Sequence, residues 1–443
     1  MSGFIKGQGA RWPRARTVAV ALATALAALS APKFARAHIE AVTNCNDAGA
    51  GSLRDAVGAA AAGDTIDMSK LACATITLSS GAIVVAQESL TVKGAGVDAL
   101  AIDGGSIDRV FMHNGTGTLA VEYMTLRHGY YLSDTNPSGA CVFSSGSVLL
   151  VGAAVEDCFL DGFGGAVVAR GGGVYADGDL ILVSSRLTGS TVASSSSPIG
   201  NSRAGAAVAR GTLVMKYSTV SDNRAVTISG HNSGPGALQA YGDVSINTST
   251  ISGNYGKFFG AMALEGIGTA TITNSTISGN ATAFHSTVYT QVPLKVSNST
   301  IAFNHVGMGA ALYADVGPLE LESTIISGNV KGSGTPADLD GEAGVVATGA
   351  NNLIVASTIP VPPDTITDCA RLLPLDANGG PTATHALGTG SPALEQGNNL
   401  LNLDYDQRGA ARVSGALPDI GAYEWDAPQG FGFKSGFESV CDG

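Results

Sequence analysis

Between Gly129 and Asn254, and just beyond, the chain carries residues of the types that recognise sugars: Tyr130, Tyr131, Asp134, Asp161, Phe163, Arg170, Arg203, Arg224 and His231, then Tyr255, Lys257 and Phe258. Tyr and Phe rings stack on sugar faces, while Arg and Asp bond hydroxyls through their donors and acceptors. Cleaving an acidic polysaccharide asks for more, namely a cation that neutralises the uronate and a positioned base that takes a proton. The sequence has no Asp-Asp pair, no dense acidic run in this region and no Arg-x-Lys, and Gly230-His231-Asn232 sets only one His beside a Gly. Lys216 and Arg224 flank one segment, where solvated surface charge is the plainer reading. No catalytic residue, metal ligand or cofactor is assigned, and nothing in the sequence supports calcium.

A repeat must position these residues. From Leu119 to Asn329 an apolar residue is followed by another two later, a third five after that, and a small or Asn position three further on. The triples are Leu119/Val121/Leu126, Val148/Leu150/Val155, Leu180/Leu182/Leu187, Leu213/Met215/Val220, Val244/Ile246/Ile251, Ala270/Ile272/Ile277, Leu294/Val296/Ile301 and Leu319/Leu321/Ile326. The closing positions are Gly129, Cys158, Ser190, Asn223, Asn254, Asn280, Asn304 and Asn329. A step of two keeps side chains on one face of a strand, whereas a step of five flips the third residue outward unless the chain bends. Short strands joined by bends, restarting every 24 to 33 residues, predict a coil that pairs in parallel with its own previous turn. Ser, Thr, Asn, Gly and β-branched residues fill the segments and argue against a helical solenoid. The fold class is therefore all-β, a right-handed parallel β-helix, the hand following from the rule for parallel crossovers.

In this architecture Asn223, Asn254, Asn280, Asn304 and Asn329 form a structural ladder of shared amide bonds, each at a turn where Asn tolerates left-handed backbone. Asn274-Ser-Thr276 and Asn298-Ser-Thr300 match glycosylation acceptors but lie inside the repeat. Small-residue pairs such as Gly205-Ala206 and Gly236-Ala237 mark tight corners. Segments around Ile66, Ile76, Val84, Leu90 and Ile102 add coils at the N-terminal end. Ser52-Leu-Arg-Asp55 resembles a capping box that opens a short helix over residues 52–62 and closes that end. Residues 350–425 must cover the other end.

The repeat interval is 29 to 33 residues up to Asn254 and 24 to 26 after it, so long loops leave neighbouring coils on the N-terminal side. Stacked, they would wall a groove bearing the Tyr, Asp and Arg residues above. Loop variation outside the core is the plainer reading of the same excess.

Lys6, Arg11, Arg14 and Arg16 precede an apolar stretch, Val18 to Leu29, and Ala35-Arg36-Ala37 reads as a cleavage site, giving a signal peptide over 1–37 and a mature start at His38. That stretch is shorter than the roughly 20 residues of a spanning helix, so the mature chain carries no transmembrane segment. Cleavage takes Lys+Arg from 24 to 18 against 36 acids, and the net charge from −12 to −18, which argues against nucleic acid as a partner. Six cysteines fit an oxidising compartment. Sequential pairing, Cys45 with Cys73, Cys141 with Cys158 and Cys369 with Cys441, is one of the 15 pairings that six thiols allow.

The stretch Cys45-Asn-Asp-Ala-Gly-Ala-Gly-Ser-Leu-Arg-Asp-Ala-Val57, followed by Ser-Thr-Ile-Ser-Gly-Asn coils, resembles exported bacterial right-handed β-helix proteins: the pectate-lyase-like superfamily in its polymorphic-outer-membrane-protein-like branch. Asn378-Gly-Gly-Pro-Thr-Ala-Thr-His385, Gly390-Ser-Pro-Ala393, Asp406-Gln-Arg-Gly409 and Asp419-Ile-Gly-Ala-Tyr-Glu424 look like the choice-of-anchor Q segment that ends many of them. The resemblance implies secretion or a cell-surface location. It leaves activity open, because the superfamily holds adhesins, lyases and hydrolases. His385, Asp406 and Arg408 sit in these motifs and read as structural, since such groups bond backbone in an irregular cap.

The expected organisation is a signal peptide (1–37), a β-helix with its N-terminal cap (38–349), a C-terminal cap (350–425) and a tail (426–443). The expected function is that of a secreted or surface-associated, non-catalytic, adhesin-like protein that binds a polysaccharide or cell-surface component. The alternative is a polysaccharide lyase or glycoside hydrolase working in a groove along the β-helix. An autotransporter passenger fits less well, because no succession of membrane-barrel strands follows Asn329.

Overall fold

The computed structural model describes residues 38–164, 167–195, 200–227 and 233–426. The chain winds into a right-handed parallel β-helix. Among the described residues four parallel sheets of twelve, eleven, eight and ten strands run along the axis, and each coil visits them in that order. The eight-stranded sheet begins only at Tyr130–Ser133, so the first coils have three sides.

The alternation of apolar residues fixes the register. The first members of the eight triples pair in one unbroken row from Leu119 through Val148, Leu180, Leu213, Val244, Ala270 and Leu294 to Leu319 in the twelve-stranded sheet. The third members do the same from Leu126 to Ile326 in the eleven-stranded sheet. All are buried in one continuous core. A slip of one residue would expose an entire row, which is why the pattern specifies the pairing so tightly.

The bend required between the second and third members is a single residue of left-handed backbone. It is Tyr123, Gly152, Ser184, Tyr217, Thr248, Asn274, Asn298 and Ser323 in successive coils. The next residue is a serine in five consecutive coils, and its Oγ accepts the backbone N–H of the equivalent residue one coil earlier. Ser185, Ser218, Ser249 and Ser275 donate in this way to Ser218, Ser249, Ser275 and Ser299 at 3.1 to 3.2 Å. The second corner repeats the device with Asn. The backbone N–H and Nδ2 of Asn223 both donate to Asn254 Oδ1 (3.0 and 2.9 Å), and Asn254, Asn280 and Asn304 do likewise up to Asn329. The left-handed residue here is the one before each Asn (Asp222, Gly253, Gly279, Phe303, Gly328), so the asparagines serve through their amides and not through a tolerance of positive φ.

The ladder ends on Asp338, whose Oδ1 accepts the N–H and Nδ2 of Asn329 (3.2 and 2.8 Å) and whose Oδ2 accepts the N–H of Ala356 (2.9 Å). Burial pushes this carboxyl up to about 6, against hydrogen bonds that act the other way. Between about pH 4 and about pH 6 the folded chain therefore holds a proton that the unfolded chain has released, and stability falls as pH rises through that window. Relative to Asp338→Asn, which does not titrate, the protein is expected to gain up to about 3 kcal/mol as buffer moves from about pH 7 to about pH 4. Paired urea melts measure this; a difference independent of pH would contradict it.

A helix, Leu53–Ala59, closes the N-terminal end. Ser52 Oγ accepts the N–H of Asp55, while the Asp55 carboxylate takes the N–H of Gly51. It stops short of residue 62 because Gln87 Nε2 binds the carbonyls of Val57 and Ala60, and Asp64 takes the N–H of Ala61. Disulfides join Cys45 to Cys73 and Cys141 to Cys158, across 28 and 17 residues. Each loop closure stabilises the fold by about 3 kcal/mol in the chain-entropy model. Cys369 is also disulfide-bonded, and Cys441 lies outside the described residues.

Residues 356–366 complete a last partial coil over Leu339, Ala347 and Ile354. Residues 370–425 then fold back along the outside of the eleven-stranded sheet. There Leu372, Leu387, Ala393 and Ile420 form a second apolar cluster with Ala302, Ile325 and Leu353. Both glycosylation-like asparagines are buried under this segment: Asn274 Nδ2 donates to the Tyr405 carbonyl and Asn298 Nδ2 to that of Asn398. No helix among the described residues is long and apolar enough to cross a membrane.

Candidate functional site

The long loops connect the eight-stranded to the ten-stranded sheet, and they stack. Val168–Arg170 pairs in parallel with Asn201–Arg203, with bridges to Ser138 in the coil before and Ser233 in the coil after. Side chains hold the loops in place. Asp161 is buried and accepts both the N–H and the hydroxyl of Ser195, and Asn136 Oδ1 accepts the N–H of Val168 (2.7 Å).

The residues singled out from sequence do not converge on one place. Arg170 and Arg203 are direct register partners on the loop wall. Tyr130, Arg224 and Tyr255 form a separate outer row on the eight-stranded sheet, where Tyr130 stacks on Phe159 (5.6 Å, 10°) and Arg224 lies over the Tyr255 ring (5.5 Å). Their ring faces are thus partly spent on neighbours. Tyr131 and Asp161 are structural in their contacts: the Tyr131 ring packs under the guanidinium of buried Arg109 (3.3 Å), which donates to the carbonyls of Ser138 and Gly139. Asp134 is exposed on a turn, and Lys257 lies over Phe284 (5.4 Å). His231 lies outside the described residues.

Arg170 and Arg203 face partners that sequence reading missed. The ten-stranded sheet turns Tyr175 and Gln239 outward between inward residues, and the turn after each strand aligns Asp177, Arg210, Tyr241 and Glu265 one coil apart. Arg210 Nε lies 3.7 Å from Asp177 Oδ1 and its guanidinium 5.1 Å from the Tyr241 ring centre. The Tyr175 hydroxyl donates to the same carboxylate (3.1 Å). Arg203 Nη1 lies 3.7 Å from Glu265 Oε2, which also accepts Gln239 Nε2 (2.9 Å). Burial pushes the Tyr241 hydroxyl up, with Glu265 adding to the rise and Arg203, Arg170 and Arg210 opposing it, so all three guanidinium groups act on one tyrosine. The alignment was legible in principle: Asp177, Arg210, Tyr241 and Glu265 each stand five residues after the Gly of a small-residue corner (Gly172, Gly205, Gly236, Gly260).

Those glycines let successive corners stack backbone on backbone. A Cβ on Gly172 would meet the Gly205 carbonyl at 2.3 Å, and one on Gly205 the Gly236 carbonyl at 2.3 Å. Next to the strip, Arg203, Ser233, Gly234, Phe258, Phe259 and Glu265 line a hollow of about 140 Å³.

Towards the C-terminal end the face changes sign. Tyr289 and Gln291 donate to Asp315 (3.0 and 2.9 Å), and Tyr313 donates to Glu342 (2.8 Å). Burial, with Glu342 adding to it, pushes the Tyr313 hydroxyl up to about 12, and burial lowers the His285 imidazole. Here Phe259 and Tyr289 stack at 4.5 Å, with His285 set edgewise against Tyr289 and Tyr313. Among the described residues no group of three or more His, Cys, Asp or Glu is placed to hold a metal ion.

No protein-family model and no curated protein matches the chain. Among solved structures, the crystal structure of pectate lyase Pel9A is similar, with 15% identity, coverage of 88% of this chain and 96% of that one, and a TM-score of 0.39.

Proposed function

We propose that the protein is exported, acts at the cell surface or outside the cell, and binds a glycan without cleaving it, along the strip between the loop wall and the ten-stranded sheet. The observation that carries this reading is the cluster of Arg170, Arg203 and Arg210 around Tyr241, interleaved with Asp177 and Glu265. It offers donors and acceptors in alternation along one face, which suits a run of hydroxyls better than a polyanion. Each carboxylate of the cluster is already engaged by a guanidinium and by a tyrosine or glutamine, an arrangement for holding a ligand and not for taking a proton from it. The export signal over 1–37, the two disulfides and the likeness to polymorphic outer-membrane proteins and to choice-of-anchor Q segments support the location. Residues 350–425 would then be the part of the chain that secures it at the surface.

The test is a panel of uronate and neutral oligosaccharides offered to the mature protein, with binding read by calorimetry and turnover by unsaturated or newly reducing ends. Arg203→Ala is expected to weaken the best binder at least tenfold, about 1.4 kcal/mol, without lowering the melting temperature. Turnover lost on replacing Glu265 or Asp177 would instead establish the lyase or hydrolase alternative.

A further inference from the structure

The outward side of the twelve-stranded sheet is polar before and after its middle: Thr91 and Lys93 point outward in one coil, and Ser245, Asn247, Thr271 and Thr273 in two later ones. Between them the face turns apolar. Leu149, Val151, Ile181, Val183 and Val214 alternate with core residues along their strands, so they point away from the core, and each is partly exposed. The loop wall stands between the eight- and ten-stranded sheets and the folded-back segment covers the eleven-stranded one, so neither packs on this face. A contiguous apolar patch of this kind on an exposed sheet marks an interaction surface.

The patch reads alike from both ends. One outward row runs Thr91, Ala120, Leu149, Ile181, Val214, Ser245, and the row beside it Lys93, Glu122, Val151, Val183, Lys216, Asn247. About a midpoint between the strands of Val151 and Val183, Leu149 mirrors Ile181, Val151 mirrors Val183, Ala120 mirrors Val214 and Thr91 mirrors Ser245. Glu122 mirrors Lys216, an acid against a base. Neither of these two takes part in an ion pair among the described residues.

From this mirror we infer that the face binds a second copy of the chain, the two cylinders lying antiparallel about a two-fold axis that runs along the strands between Val151 and Val183. A two-fold contact uses the same patch on both copies and so requires it to be complementary to itself. This axis reverses the order of coils and keeps each row opposite its own counterpart, so Glu122 meets Lys216 of the partner subunit at two equivalent places while the apolar centres close on each other. A two-fold axis along the cylinder would instead exchange the rows and leave both charges against apolar side chains. The overlap takes in the eight strands from Thr65–Asp67 to Ala270–Thr273. At about 4.8 Å per strand and about 3.3 Å per residue this buries on the order of 1,000 Å² in total, which suits a reversible dimer and not an obligate one. The face lies apart from the strip on the ten-stranded sheet, and the inference does not depend on a glycan binding there.

Sedimentation equilibrium of the mature chain at tens of micromolar is expected to show monomer and dimer in exchange. Glu122→Lys and Lys216→Glu each set like charges together twice in the dimer and are expected to weaken it at least tenfold. The double exchange restores both pairs and should return the dissociation constant to within about threefold of that of the unaltered chain. Circular dichroism shows whether each variant keeps its strands. Should a single exchange fail to fold, Val151→Thr combined with Val183→Thr, which suits a strand but makes the centre polar, is expected to weaken the dimer as much. A chain that stays monomeric, a dimer indifferent to every one of these changes, or a double exchange no tighter than the single ones would overturn the inference.

Discussion

Replacing Asn280 by Ala is expected to cost about 3–5 kcal/mol, although Asn280 contacts no candidate ligand residue and its side chain is small. Its Oδ1 accepts two donors from Asn254 (3.0 and 2.9 Å), and its Nδ2 donates to the carbonyl of Ile251 and to Asn304 Oδ1 (both 3.0 Å). All these groups are buried, and each donor left without a partner costs about 1–3 kcal/mol. Asp would keep the acceptor but lose the donor and bury a charge, so it rescues little. Urea melts of Asn280→Ala and Asn280→Asp check this. A loss below about 1 kcal/mol would mean that the coils are held by sheet pairing and apolar burial alone.

The other large effect lies in the folded-back segment. Arg412 and Glu424 are fully buried and bonded at 2.8 Å; Arg412 also donates to the carbonyls of Gly421 and Asp419, and Glu424 accepts the N–H groups of Ser414 and Asp419. Arg412→Ala leaves a carboxylate without its cation in the interior, which costs about 3–5 kcal/mol. The effect should be local. Gln407, which bonds Ser249, Thr250, Thr276 and Thr382, and Ala422, whose N–H reaches Thr300 Oγ1, tie the segment to the coils by polar contacts that loosen once the clasp opens. Hydrogen exchange should therefore quicken at Gly421 and Ala422 while the ladder amides of Asn254 and Asn280 stay protected. Uniform loss of protection would show that the segment and the cylinder unfold as one.

The cylinder was legible because its signal is one of period and burial. The apolar triples need no knowledge of distant contacts, and all eight lie in register. The serine ladder was present in the same motif but unread: a serine before a strand looks like an ordinary turn residue until the coil beneath supplies the N–H it accepts. Arg170 and Arg203 were found because extra residues mark loops. Tyr175, Arg210, Tyr241 and Glu265 were not, because they belong to regular coils and become neighbours only through the stacking of corners at Gly172, Gly205, Gly236 and Gly260. The path of residues 370–425 along the side, by way of single polar hooks such as Asn298 to the Asn398 carbonyl, leaves no periodic trace at all.

Where the glycan lies can be read from a hydrogen-exchange footprint of the mature protein, taken with and without a saturating amount of its tightest-binding oligosaccharide. Added protection is expected in the wall segments 167–177 and 200–210, at Gln239 to Tyr241 and at Glu265, with the eight-stranded row of Tyr130, Phe159, Arg224 and Tyr255 unchanged. Protection confined to that row, or to the folded-back segment, would place the glycan elsewhere and rule out the strip as its site.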